Sequence, residues 1–127
     1  MAFKVFDKYG AASRQEVTIR ASGYAFMSHG ILARMGREDA THFQALYDEE
    51  TGRVALNFTN SPDTDGTWRE LSREKSGVAA NILPVLRFYN LNLGGKKRVL
   101  PVQIEDDYLV MDIRAAIAKR EDIKSLL

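Results

Sequence analysis

No cysteine occurs in the 127 residues, which excludes a disulfide framework, a thiolate metal site and a cysteine nucleophile together. That suits a reducing compartment. Histidine is nearly as scarce: His29 and His42 stand outside any zinc-type spacing with carboxylates, so neither a metal nor a proton-transfer pair is expected of them. No stretch approaches the roughly 20 apolar residues that span a bilayer, and Met1 to Lys8 lacks the apolar run of a signal peptide. The expectation is a cytoplasmic protein with no membrane partner. An excess of one charge is missing too, since the formal net charge is +1.

Hydrophobic residues make up 45% and charged residues 28% of the chain, the balance of an ordinary folded protein. Its length suits one domain over residues 1–127, able to bury about two-thirds of the surface of the unfolded chain. Charge is unevenly placed: residues 61 to 98 carry 7 basic and 4 acidic side chains, while residues 1 to 60 carry 7 of each. The basic excess lies in the middle third.

Val17, Ile19 and Ala21 alternate with polar residues and mark a half-buried strand, which Gly23 interrupts. Ser28 stands as the N-cap of a two-turn helix through Met35, stopped by Gly36. Strands are expected over 41–48 and 53–59 around a turn at Glu49 to Gly52, then a loop from Asn60 to Gly66 and a strand from Trp68 to Arg73. Asn81 is positioned to cap a second helix reaching Leu91, with Pro84 in its first turn. Leu100, Val102 and Ile104, then Leu109, Met111 and Ile113, describe a hairpin turning at Asp106-Asp107. Ile117, Ile123, Leu126 and Leu127 give the final segment an amphipathic helical pattern.

Ser22-Gly23-Tyr24-Ala25 and Ser76-Gly77-Val78-Ala79 each lead to a capped short helix and an acidic-turn hairpin. The expected class is therefore α+β. Two pseudo-repeated strand–short helix–β-hairpin units, residues 17–59 and 70–113, would form a barrel-like mixed sheet, with a C-terminal helix over 114–127.

Among chemical motifs, Gly95-Lys96-Lys97 ends like a phosphate-binding loop but lacks its first glycine and its hydroxyl, leaving a dense basic cluster with Arg98. Acidic residues at Asp48 to Glu50 and Asp106-Asp107 fit solvated hairpin tips, and Asp63 to Gly66 departs from a calcium loop in its glycine spacing. Trp68, interleaved with Arg69, Arg73 and Lys75, suits stacking on bases beside phosphates, or simple packing on a sheet.

Gly23 to Ser28, Ile31 to Gly36, Phe43 to Asp48 and Arg53 to Leu56 together resemble the AbrB-type swapped-hairpin DNA-binding domain over residues 17–59. The resemblance implies hairpins exchanged between two copies, either in a homodimer or within one chain holding both. It also implies DNA contacts from Arg20, Arg34 and Arg37.

The function expected is a small non-enzymatic nucleic-acid-binding or transcription-regulatory protein, of a kind that a phage or other mobile element carries, with no cofactor and no metal. Its phosphate-contacting set is Arg20, Arg34, Arg37, Arg69, Arg73, Lys75, Lys96, Lys97 and Arg98, with Trp68 as the stacking residue. A protein-binding adaptor or inhibitor acting through a surface is the alternative. An enzyme whose carboxylates meet only in space is a third class.

Overall fold

A computed structural model describes residues 15–117. Nine strands occur in the order β1 (Glu16–Ile19), β2 (Tyr24–Ser28), β3 (His42–Asp48), β4 (Arg53–Thr59), β5 (Arg69–Glu70), β6 (Ser72–Glu74), β7 (Gly77–Asn81), β8 (Arg98–Glu105) and β9 (Tyr108–Asp112). Helix α1 (His29–Arg34) follows β2 and α2 (Leu83–Phe88) follows β7. The strands form one sheet of order β5-β3-β4-β9-β8-β1-β2-β7-β6, and every pairing is antiparallel.

Two strands turn the corners of this sheet. The first half of β8, Arg98 to Pro101, pairs with β1, and its second half, Val102 to Glu105, pairs with β9. Pro101 sits at the hand-over, where its missing N–H costs no ladder bond to β9. On the opposite side β5 and β6 are one run broken at Leu71: β5 pairs with β3, β6 pairs with β7, and the Leu71 amide donates to the Thr41 carbonyl at 2.9 Å. The two ends of the strand order are thus consecutive chain, and the sheet is a nearly closed barrel.

The interior is filled by the alternate residues of each strand. Val17 and Ile19, Val54, Leu56 and Phe58, Leu100 and Val102, and Leu109 and Met111 are buried, while their neighbours face out. Each such side chain contributes roughly 1.5–3 kcal/mol by leaving water. Because β2 and β7 are antiparallel neighbours and each runs into its helix, α1 and α2 leave the barrel at opposite ends. Ile31 and Leu32 plug one end, Ile82 and Leu86 the other.

The expected α+β class is therefore corrected. Among the described residues no strand pair is parallel; α1 and α2 are six-residue caps on an antiparallel barrel, too short to form a layer. Each helix is preceded by a hairpin, β1–β2 or β6–β7, where a single strand was expected. The second helix is also shorter than the expected span to Leu91. Helical conformation resumes at 113–117, with Ile113 and Ala116 buried and Ile117 packed against the core. Ile123, Leu126 and Leu127 of the expected final helix lie outside the described residues.

Candidate functional site

Both helices end alike. At α1 the Arg37 amide donates to the Leu32 carbonyl at 2.8 Å across Gly36, whose φ is +68°. At α2 the Leu91 amide donates to the Leu86 carbonyl at 2.7 Å across Asn90, whose φ is +54°. After α2 the chain stays irregular from Leu91 to Lys97, with the Asn92 carboxamide oxygen accepting from the Gly94 amide at 2.8 Å and both Gly94 and Gly95 at positive φ. Arg98 pins this loop from behind, donating to the Leu93 carbonyl at 3.5 Å and the Ala116 carbonyl at 2.9 Å.

An open cleft of about 380 Å³ lies between this loop, α2 and the β1–β2 turn. Ile19, Leu83, Leu86, Leu91 and Leu93 form its apolar floor. Arg20, Arg87 and Lys96 stand around it, and no acidic residue lines it. Gly23 lets α2 approach this closely, since a Cβ there would lie 2.5 Å from Leu83 Cβ. The three cations differ in kind. Arg20 is neutralised by a two-pronged bond to Glu74, at 2.6 and 2.7 Å, and lies 5.2 Å from the Phe26 ring centroid. The side chains of Arg87 and Lys96 hold no hydrogen bond or ion pair with any described residue, nor does that of exposed Lys97 next in sequence. Phe88, on the neighbouring face of α2, is 80% exposed and meets Tyr89 edge-on at 4.9 Å, while Tyr89 packs on Tyr47 at 4.2 Å.

The ten residues selected from sequence do not share one surface. Arg20, Lys96, Lys97 and Arg98 gather at the α2 end, and Arg34, Arg37, Arg73 and Lys75 at the α1 end; Trp68 and Arg69 follow the exposed loop leading into β5. Most of the arginines are occupied. Arg37 lies 3.9 Å from Asp107, with its Nε buried and unpartnered. Arg69 donates to the Gly66 and Trp68 carbonyls at 2.7 and 3.0 Å, and Arg73 to the Ala40 carbonyl at 2.8 Å. Each of these bonds uses one terminal nitrogen of the guanidinium and fixes the direction of its remaining donors. Trp68 is half-buried with its Nε1 unpartnered, and Arg34 and Lys75 are exposed. Lys75 sits in the β6–β7 turn, whose Ser76 carbonyl accepts from His29 at the start of α1.

Arg87, Phe88 and Asn90 were not selected from sequence. A helical Leu-Arg-Phe-Tyr run reads as core with one solvated charge, and only the position of α2 over the barrel end shows which ring is left outside. Among the described residues no group of three or more His, Asp or Glu is placed to hold a metal ion, and no helix is long and apolar enough to cross a membrane. Compared with protein-family models, with curated proteins and with solved structures, the chain matches none.

Proposed function

We propose that the protein is a non-enzymatic nucleic-acid-binding barrel that holds phosphates at its α2 end, through Arg87, Lys96 and Lys97. The observation that carries this is the pair Arg87 and Lys96, without side-chain partners among the described residues, on a cleft lined by no acid, with exposed Lys97 next in sequence. Phosphate contacts of this sort supply most of the sequence-independent affinity of nucleic-acid binders. The resemblance of residues 17–59 to AbrB-type domains points to the same class of partner. Arg20 and Arg98, selected from sequence for this role, act here as supports: one ties β1 to β6 and the other pins the loop that carries the lysines.

The adaptor reading has less to stand on. Leu46, Phe88 and Val99, the large hydrophobics exposed among the described residues, stand on three different elements, β3, α2 and β8.

Affinity for single- and double-stranded DNA and RNA across a salt series tests the proposal, with wild type beside an Arg87→Ala/Lys96→Ala/Lys97→Ala variant of equal thermal stability. The logarithm of affinity falls against that of salt by about 0.7 per phosphate contact on single strands and about 0.9 on duplex. The variant should bind more weakly and lose up to about two to three units of slope. Absence of wild-type binding at low salt to every one of these nucleic acids overturns it.

A further inference from the structure

We infer that the cleft beside α2 takes one unstacked nucleotide, its base against the apolar floor and its phosphate at Arg87 and Lys96. This rests on the nucleic-acid reading and narrows it, because a base is free to leave its stack in a single strand and not in an intact duplex. The volume of about 380 Å³ falls within the roughly 300–1,000 Å³ of small-ligand clefts, far too large for a lone phosphate and far too small for a double helix. Five aliphatic side chains line the floor, while cations stand only at the rim. A ligand that satisfies both has a flat apolar face and an anionic end, as a nucleotide does.

Asn90 supplies the remaining polar element. Its amide N–H is used in the helix end, donating to the Arg87 carbonyl at 3.3 Å, but its carboxamide has no partner among the described residues. The left-handed backbone at φ +54° places that residue at the cleft wall. A carboxamide offers one acceptor and two donors, which can pair with the edge of a base. Phe88, exposed on the next face of α2, gives the adjoining base a ring to stack on.

A nucleotide can come from a strand or from free solution, so the experiment has an arm for each. Binding is followed by 2-aminopurine fluorescence in a single-stranded oligonucleotide, with its duplex and free AMP measured alongside. Ala21→Trp fills the cleft from an exposed turn position with ordinary backbone angles. Asn90→Gly keeps the left-handed conformation and removes only the carboxamide. Wild type should prefer single strand to duplex and change the probe's fluorescence. Ala21→Trp should lose about tenfold in single-strand affinity with the salt slope unchanged, as removal of one stacked base predicts. Asn90→Gly, with an unaltered melting temperature, should weaken single-strand binding less. Binding of AMP but of no strand would leave the nucleotide cleft standing and remove the nucleic-acid reading. Strand binding that neither substitution changes overturns the cleft and leaves the phosphate reading intact. If wild type binds neither probe, both fall.

Discussion

Arg20 and Glu74 show how one pair of side chains sets a measurable pH dependence. Arg20 crosses the outside of β2 and β7 to reach Glu74, lying along the Phe26 ring. The two hydrogen bonds, then the charge of Arg20, hold the Glu74 carboxyl below its ordinary range. A carboxyl depressed in the folded state stabilises the fold above its unfolded value of about 4.3, and that contribution is lost as pH falls through the lower folded value. Asp48 and Asp65 are depressed as well, the first chiefly by the Thr51 side chain and the second by the Thr67 amide. Those two remain in Glu74→Gln and cancel in a comparison. Wild type should therefore melt above Glu74→Gln near neutral pH, and the gap should close as pH drops from about 5 toward 3. A gap that stays constant over that range refutes the role assigned to the pair. Gly77 lies beneath the same layer: a Cβ there would run into the Met27 carbonyl and lie 2.9 Å from the Phe26 ring. Gly77→Ala should cost about 1–3 kcal/mol in urea unfolding, as overpacking does, although the backbone angle at Gly77 is ordinary.

At the scale of elements, the two helices are too short to persist alone and depend on their ends. Ser28 Oγ accepts from the Ile31 amide at 3.4 Å, whereas α2 has Ile82 at its N-cap and borrows Asn81, whose carboxamide oxygen accepts from the Leu83 amide at 3.1 Å. Ser28→Ala and Asn81→Ala should each lower stability by about 0.5–1 kcal/mol, the low end for lost caps, measured as a shift of the urea midpoint at constant slope. Strands that face water on one side were legible in the sequence: β1, β3, β4, β8 and β9 follow their alternation closely, and the turns fall at Glu49 to Gly52 and Asp106-Asp107. β7 was not legible. Val78 and Ala80 face the core while Gly77 and Ala79 lie under Phe26, so all four are buried and no polar alternation survives. Without β2 in the first unit and β7 in the second, each hairpin–helix–hairpin became strand, helix and hairpin, and that produced the α+β expectation. The cleft was legible only in Arg20 and Lys96 of its rim. Its floor combines Ile19, Leu86 and Leu93, which sequence marks as apolar without showing that the fold brings them together beneath one cleft.

For the molecule as a whole, the strand order is interleaved. The first hairpin, β1–β2, is flanked by β8 and β7, and the hairpin β3–β4 by β9 and β5; all four flanking strands come from residues beyond 68. Neither half builds a sheet from its own strands alone, since each contributes one hairpin to either side of the barrel. Two separate hairpins joined by a six-residue helix bury too little to stand by themselves. The connection between halves, residues 61–67, is exposed throughout, so cutting it removes no core contact. Fragments 1–63 and 64–127 should each be unfolded as monomers, without a cooperative thermal transition. Mixed at equal concentration they should regain the far-ultraviolet spectrum and cooperative melting of the intact chain, with a midpoint that rises with concentration because folding has become an association. A monomeric fragment that melts cooperatively by itself would show that the interleaved pairing is not what holds the barrel together.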